Sequence, residues 1–135
     1  MNKTIKCNNK KIRIYIEDTD YQGFVYHSNY LKYMERARSD FLSDNNINQK
    51  NLSKKNLAFV VKSIKIDFIL PAELGEELIV KSDVSKVTNA RLIFMQQIVN
   101  NNNEQCINAE VEVCMINLKL KKPVRLQDDL LSIFI

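Results

Sequence analysis

The stretch EDTDYQGFVYHSNYL, Glu17–Leu31, decides the fold of this chain. It lies between a run of alternating apolar residues and a run with helical apolar spacing, and it carries Asp18, Asp20, Gly23 and His27. The chain has only two glycines and one histidine in 135 residues. Because one of these glycines and the histidine stand beside two acids at the junction of two predicted elements, we take this stretch as the candidate functional site.

The residues on both sides of this stretch predict regular structure. Lys11–Glu17 (KIRIYIE) alternates isoleucine with other residues, which is the period-two pattern of a strand with one buried face. From Ser28 to about Asn45, apolar residues recur at three- and four-residue steps, which predicts an amphipathic helix of about five turns. Ser28 or Asn29 is expected to cap its start, and Asn45 to mark its end. The predicted buried face of this helix carries Leu31, Met34, Arg38, Phe41 and Leu42.

Strand patterns fill most of the chain after this helix. A polar connector, residues 48–56, leads to a long predicted strand over residues 57–70. We expect one face of this strand to carry Ala58, Val60, Ile64, Ile66, Phe68 and Leu70. Its first half is apolar in both phases, so both faces should be covered there.

Three further strand patterns, in residues 77–87, 90–99 and 104–120, are separated by short turn signals rich in asparagine. Successive strands joined by short turns predict an antiparallel meander. From Gln127 onward the sequence fits a short helix, a last strand or a docked tail equally well.

This order of elements predicts the α+β class, with one long helix on one antiparallel sheet in a single domain, residues 1–135. The helix can cover only one sheet face, and the edge strands still need cover. A homo-oligomer that joins sheets edge to edge would supply it.

Composition restricts the classes of function. The net charge is +4 with 20 basic and 16 acidic residues, and the lysines are scattered among acids, which is typical of a solvated surface. No basic stripe with interleaved aromatics is present, so a nucleic-acid partner is not expected. The first residues lack the apolar core of a signal peptide, and no run is long enough for a membrane span, so we expect a cytoplasmic protein.

The cysteines and the histidine do not predict a metal site. Cys7, Cys106 and Cys114 are odd in number and form no CxxC pair, so we expect structural thiols and neither a disulfide framework nor a zinc site. His27 has no second histidine with which to share a metal.

The chemistry of the junction indicates hydrolysis of an activated ester. Asp20 stands just before the predicted helix start, where unpaired backbone N–H groups and the helix dipole favour negative charge. Gly23 permits a positive φ or the close approach of a ligand. A carboxylate beside preorganised donors is the minimum needed to cleave a thioester without a metal.

Structural explanations exist for the same residues. Asp18 or Asp20 could cap a turn or the helix, as most aspartates before helices do. His27 could be a hydrogen-bonded structural residue, and its neighbour Ser28 does not make a triad with it. Glu35 is expected to form a solvated salt bridge.

The segment EDTDYQGFVYHSNYLKYMERARSDFL also resembles a known family, the hotdog-fold acyl-CoA thioesterases of the 4-hydroxybenzoyl-CoA thioesterase branch and its YbgC-type bacterial enzymes. The shared pattern is Asp-x-Asp, a glycine three residues later, Val-Tyr-His, Asn-Tyr and a Glu-Arg-Ala-Arg helix. Weaker similarity extends over residues 11–127. The resemblance implies a curved antiparallel sheet wrapped around the long helix, the order of elements that the periodicity predicts.

By this resemblance Asp20 matches the catalytic carboxylate, and a backbone N–H near His27 matches the oxyanion donor. His27 is implied to orient Asp20 or water, while Gly23, Val25, Tyr26 and Ser28 are implied to line the substrate site. Coenzyme A is part of the substrate, and no cofactor is implied.

Hotdog enzymes of this kind are dimers or tetramers that share the acyl groove between subunits. The resemblance therefore implies that a partner subunit contributes its residues near Val61, Lys62 and Ser63. Gln22 stands where relatives often carry a small residue, which leaves the groove shape open. The basic residues that could meet the phosphates of coenzyme A are Lys62, Lys65, Arg91, Lys121, Lys122 and Arg125.

Two other functions compete with hydrolysis. A hotdog dehydratase also needs a histidine base, but the surroundings of His27 lack the proline-rich context of those enzymes. A non-catalytic module that binds acyl-CoA or acyl carrier protein would not need Asp20, which would repel an anionic ligand. Acyl-carrier-protein thioesters also remain open as substrates.

Overall fold

A computed structural model describes residues 3–135. The elements in chain order are β1 (Ile5–Lys6), β2 (Lys10–Arg13), a 3-10 turn (Ile16–Asp18), α1 (His27–Asp44), α2 (Gln49–Lys54), β3 (Leu57–Phe68), β4 (Glu77–Thr88), β5 (Arg91–Val99), β6 (Gln105–Asn117), β7 (Lys122–Pro123) and α3 (Asp128–Ser132).

The strands form one seven-stranded antiparallel sheet with the order β1-β4-β5-β6-β3. β2 also pairs with β4, and β7 pairs with β6. The β4-β5-β6 meander confirms the prediction from the turn signals, and the α+β class is also confirmed. Within residues 3–135, β3 pairs only with β6 and therefore forms one edge of the sheet.

The first predicted strand is shorter than its alternation indicates. β2 ends at Arg13, and although Ile12 and Ile14 are buried, Ile16 is 77% exposed. The chain leaves the sheet because the Asp18 carboxylate accepts the Tyr15 N–H at 2.8 Å and closes the 3-10 turn. The prediction of a strand continuing to Glu17 was therefore wrong.

The long helix is confirmed, but its predicted cap is wrong. α1 begins at His27, its N-cap is Tyr26, and no side chain caps its first turn. Neither Ser28 nor Asn29 accepts a hydrogen bond there. Its end agrees with the sequence, since Asn45 is the C-cap and Asn46 has a φ of 62°.

The apolar face of α1 packs against the inner face of the sheet. Its buried residues are Tyr30, Tyr33, Met34, Ala37, Arg38, Phe41 and Leu42. Leu31, expected on this face, is exposed in the single chain. The buried Arg38 donates to Gln96 on β5 at 2.9 Å, and Gln96 in turn donates to the Met34 carbonyl and to the Ser82 hydroxyl. This polar network ties the middle of the helix to the sheet.

The predicted face of β3 is wrong for its first half, because the strand contains a register shift between Val61 and Ser63. Val61 pairs with Val113, and Ile64 pairs with Val111. Directly paired residues share a sheet face, so Val61 and Ile64 lie on the inner face with the buried valines of β6. Val60, two residues before the shift, lies on the outer face instead.

The free edge of β3 leaves apolar side chains uncovered. Val60, Val61, Ile64 and Phe68 are all exposed in the single chain. The sequence predicts that other residues cover both faces of β3 in its first half. Among the described residues of one chain, nothing covers these four side chains. The connector before β3 also contains the short helix α2, which its polar composition did not indicate. At the other end α3 confirms the helical alternative for the chain after Gln127.

Candidate active site

The loop before α1 is a small hairpin. Thr19 and Val25 form an antiparallel bridge, the Asp20 N–H donates to the Phe24 carbonyl at 2.8 Å, and the Gly23 N–H donates to the Asp20 carbonyl at 3.0 Å. Gly23 has a φ of 85°, and a Cβ atom there would meet nothing within 4 Å. The glycine is therefore required for its backbone angle, and the open space beside it is compatible with the approach of a ligand, the other reason that the sequence left open.

The two carboxylate oxygens of Asp20 have different environments. Its Oδ1 accepts the N–H groups of Gln22 at 3.0 Å and Phe24 at 3.2 Å. Its Oδ2 has no hydrogen-bond partner within the described residues 3–135. One oxygen thus organises the turn, as the structural explanation expected, while the other is available to a ligand.

The first turn of α1 keeps free N–H groups. The Tyr26 N–H donates to the Asp18 carbonyl at 2.9 Å, and the Asn29 N–H donates to the Tyr26 carbonyl at 2.9 Å. The N–H groups of His27 and Ser28 have no acceptor in the part of the chain that the structure describes. Unpaired amides at a helix start carry the positive end of the helix dipole and attract negative charge.

A cleft of about 360 Å³ joins these features. It is lined by Asp20, Phe24, Val25, Tyr26, His27, Tyr30, Phe68, Ile69, Leu70, Pro71 and Ile107. The carboxylate of Asp20 and the imidazole of His27 are therefore the two ionisable groups, apart from tyrosines, in a mostly apolar lining. Such a lining with few polar groups is typical of small-molecule sites.

Aromatic rings form one side of the cleft. The Tyr26 and His27 rings lie 4.4 Å apart, and Phe68 meets His27 edge-on at 6.4 Å and Tyr30 at 6.0 Å. The Tyr30 hydroxyl accepts the Ala72 N–H at 3.1 Å. Burial raises the pKa of Tyr30, so this phenol stays protonated at neutral pH.

The structure brings four predicted site residues together and leaves the others apart. Asp20, Val25, Tyr26 and His27 line the cleft. Gly23 and Ser28 shape its hairpin and helix start without lining it. Tyr30 and Phe68, which the sequence did not indicate, also line the cleft. Tyr30 could have been predicted, because a residue three positions after His27 lies on the same side of the helix.

The three β3 residues assigned to a shared groove lie outside this cleft in the same chain. Val61 lines a separate cavity of about 80 Å³ beside Arg38. Lys62 forms an ion pair with Glu112 at 3.4 Å. Their assignment to a partner's cleft stays a prediction.

Most candidate phosphate contacts are already paired. Arg91 lies 3.1 Å from Glu112, the same carboxylate that pairs with Lys62. Lys65 lies 3.9 Å from Glu110, and Arg125 pairs with Asp128. Lys121 and Lys122, at the β6–β7 turn, form no ion pair with the described residues.

The cysteines are unsuited to nucleophilic chemistry. All three are buried and unpaired. Burial, followed by the charges of Asp83 and Asp44, raises the pKa of Cys7 to about 12, and burial with Glu76 and Glu104 raises the pKa of Cys106 to about 11. A thiolate is therefore strongly disfavoured at both positions. Residues 3–135 contain no group of three or more metal-ligating side chains and no helix able to cross a membrane.

Comparison with known proteins assigns this geometry to a class. Residues 14–134 match the thioesterase-like superfamily. The acyl-CoA thioesterase YbgC of Haemophilus influenzae is 38% identical over 124 residues, which cover 91% of this chain and 90% of that protein. A crystal structure of a probable thioesterase from Bartonella henselae is 35% identical, with a TM-score of 0.82 over 90% of this chain and 99% of that chain.

A third likeness concerns the fold alone. The 1,4-dihydroxy-2-naphthoyl-CoA thioesterase Slr0204 of Synechocystis superimposes with a TM-score of 0.88 at 22% identity, covering 94% of this chain and 93% of that chain. Together, the sheet topology and these matches define a hotdog-fold protein of the thioesterase-like superfamily. Within that class, the chain belongs to the family of YbgC acyl-CoA thioesterases, which are thioester hydrolases.

Proposed function

We propose that this protein hydrolyses acyl-CoA thioesters to a free acid and coenzyme A in the cleft that Asp20 and His27 line. The observation that carries the proposal is the free Oδ2 of Asp20 in the same cleft as an uncapped helix start, in a chain that belongs to a thioesterase family. No cofactor is required, because coenzyme A enters as part of the substrate.

The His27 and Ser28 N–H groups polarise the thioester carbonyl. As a nucleophile adds to the carbonyl carbon, negative charge develops on the oxygen, and donors fixed in advance stabilise it without reorganisation. The C–S bond then breaks, the thiolate of coenzyme A leaves and takes up a proton, and the acyl group ends as a carboxylate.

Asp20 supplies the attacking group by one of two routes. As general base it takes a proton from water, and the water oxygen adds to the carbonyl carbon. As nucleophile its free oxygen forms a mixed anhydride, which water then cleaves. In both routes the hydrogen bonds to Oδ1 fix the carboxylate. His27 orients Asp20 or the water.

The acyl group occupies the apolar part of the cleft. Val25 and Tyr26 contact it from the hairpin, while Gly23 and Ser28 set the backbone beside it. Phe68, exposed at the free end of β3, extends this surface toward the sheet edge.

The cleft is completed by a second copy of the chain. β3 is an edge strand with exposed apolar residues on both faces, and antiparallel pairing of two such edges would bury them. In this homodimer, or a tetramer built from it, the partner's β3 presents Val61, Lys62 and Ser63 to the cleft. Of the six candidate phosphate contacts, Lys121 and Lys122 form no ion pair with the described residues and are available to the phosphates of coenzyme A.

The test follows thiol release from acyl-CoAs of several chain lengths and from one aryl-CoA. Wild type should turn over at least one of them, and Asp20→Asn should lose at least about 100-fold in kcat, the lower range for positioned acid–base groups. Asparagine keeps an Oδ1 acceptor for the turn, so folding should persist. Glu17→Gln, an exposed acid in the same loop, is the matched control and should keep its activity.

Wild-type turnover by Asp20→Asn would remove the catalytic assignment. Tight binding of acyl-CoA without any thiol release would instead favour the non-catalytic binding module. The same panel presented on acyl carrier protein compares the two carriers. A single turnover in oxygen-18 water tests the anhydride route, because label enters the Asp20 side chain only if water adds to the aspartyl carbonyl carbon of a mixed anhydride. Label in the product acid alone fits the general-base route and also an anhydride cleaved at its acyl carbon.

A further inference from the structure

Asp18 anchors the catalytic hairpin through three groups. Its carbonyl oxygen accepts the Tyr26 N–H at 2.9 Å and the Asn29 side-chain amide at 2.8 Å. Its carboxylate accepts the Tyr15 N–H at 2.8 Å, and its own N–H donates to the Tyr15 carbonyl at 3.0 Å. The two ends of the loop, at Tyr15 and Tyr26, are therefore both attached to this one residue.

Asn29 has an unusual role for its position. Asparagine near a helix start commonly accepts a hydrogen bond from a free helical N–H. Here its side chain donates, and the acceptor is a carbonyl of the preceding loop. The bond crosses from the first turn of α1 to Asp18, the last residue of the 3-10 turn that leads into the hairpin.

These bonds determine which backbone N–H groups at the start of α1 remain free. Since Asp18 takes the Tyr26 N–H, the free donors that follow are those of His27 and Ser28. The side chain of Asn29 donates to the loop, and its Oδ1 accepts no N–H from the described residues, so it caps neither of them. Asp20 lies two residues beyond the anchor and lines the same cleft as His27, the first residue of α1. The same two bonds therefore tie the segment that carries Asp20 to the uncapped helix start.

We infer that Asn29, acting through the carbonyl of Asp18, is a positioning residue that fixes Asp20 relative to the free amides of His27 and Ser28. The inference rests on the proposed thioesterase reaction for its kinetic consequence. Positioning of this kind affects the chemical step more than substrate binding, because small displacements of a reacting group cost rate steeply.

Three substitutions of Asn29 separate positioning from folding. Asn29→Ala removes the donor, Asn29→Ser keeps a shorter donor, and Asn29→Asp replaces the donor by an acceptor that faces the Asp18 carbonyl. An acid in the first turn of a helix interacts favourably with its dipole. Asn29→Asp should therefore keep or raise the melting temperature while it lowers kcat.

Asn29→Ala should lose about 10-fold or more in kcat with KM changed less than about twofold, and Asn29→Ser should recover part of the loss. Wild-type kcat in Asn29→Ala, while Asp20→Asn is inactive, would overturn the positioning role and leave the thioesterase proposal intact. Loss of kcat that follows the melting temperature across all three variants would also overturn it.

A readout without turnover keeps the two proposals distinct. At one fixed pH, Asp20→Asn should shift the amide proton resonances of His27 and Ser28 relative to wild type, because it removes a nearby negative charge. In the Asn29→Ala background the same substitution should shift them by at most about half as much, as expected if Asp20 has moved away from the amides. An equal shift in both backgrounds would overturn the inference whatever the activity of the protein.

Discussion

Asp20 and His27 line one cleft because the hairpin between them closes through the Thr19–Val25 bridge. The acid stands at one end of the hairpin and the histidine opens α1 at the other. A turn of the chain, and not the spacing along one element, thus brings the two groups together. Changes to the hairpin backbone should affect activity even where no side chain is lost.

Gly23→Ala tests this dependence on the hairpin backbone. At a φ of 85° a side chain is strained, and we expect a loss of about 1–2 kcal/mol in the free energy of unfolding. Relief of that strain should move Asp20, whose carbonyl accepts the Gly23 N–H, and lower kcat about 10-fold.

Gly75→Ala is the matched control. Gly75 has a φ of 90°, and a Cβ atom there also meets nothing within 4 Å, but it lies before β4 and outside the hairpin of residues 19–25. Urea unfolding should show similar losses for both variants, whereas thiol release should fall only in Gly23→Ala. Equal losses of kcat in both would show that lowered stability, and not the hairpin, limits the reaction.

A side-chain N-cap introduced at the start of α1 should stabilise the fold and lower kcat. Tyr26 occupies the N-cap with extended backbone angles and makes no capping bond. In Tyr26→Ser the new hydroxyl can accept a helical N–H, which should stabilise the fold by about 1 kcal/mol relative to Tyr26→Ala. Both variants lose the ring that stacks on His27, so their difference isolates the cap.

Thermal unfolding and thiol release measured side by side check this expectation. Tyr26→Ser should melt higher than Tyr26→Ala and have the lower kcat, because its hydroxyl competes with the thioester for an amide. If the capped variant is the faster of the two, the free amides of this helix do not act on the substrate.

The parts of the fold that were predictable from sequence are those in which local periodicity and packing agree. α1 and the β4-β5-β6 meander have apolar faces that their surroundings also bury. The first strand was predicted to be longer than it is. Ile16 continues the alternation, but the Asp18 carboxylate turns the chain out of the sheet. Alternation alone does not report a side-chain hydrogen bond that ends a strand.

The register shift in β3 could not be predicted from the sequence either, because the residues before it are apolar in both phases. Val60 and Val61 are both apolar, so the sequence does not show which of them faces inward. The shift before Ser63 decides it through pairing with β6. In the site, Asp20 and His27 were predictable from their residue types, whereas Phe68 joins the cleft only through the topology that returns β3 to the start of α1.

The buried hydrogen-bond network around Arg38 and Gln96 should contribute strongly to the free energy of unfolding. Gln96 is 0% exposed and accepts from Arg38, itself 8% exposed. Burial lowers the pKa of Arg38, against the opposing charge of Glu35. Gln96→Leu leaves a largely buried guanidinium without its acceptor and should cost about 2–4 kcal/mol in urea unfolding.

Gln97→Leu on the neighbouring, exposed position of β5 is the control and should change stability by less than about 0.5 kcal/mol. The double variant Arg38→Met with Gln96→Leu should lose less than the sum of the single losses. Additive losses would mean that the two side chains act independently.

The free edge of β3 should be the contact between subunits. Ile64 is 37% exposed on that strand, and in an edge-to-edge dimer it would lie near its own copy. Ile64→Lys would then place two like charges in an apolar interface. Sedimentation velocity should show wild type at two or four times the 15.8 kDa chain mass, for a dimer or a tetramer built from it. Ile64→Lys should shift toward the single chain, with thiol release reduced in parallel because the partner no longer completes the cleft.

Val87→Lys provides the comparison, since Val87 is 41% exposed but lies on β4, away from the β3 edge. It should leave both the sedimentation coefficient and kcat unchanged. Ile64 is not among the residues assigned to the substrate, so loss of activity in Ile64→Lys together with loss of the dimer ties the complete site to the paired edge. A fully active single chain would separate catalysis from association and would restrict the site to Asp20, His27 and the rest of their own cleft.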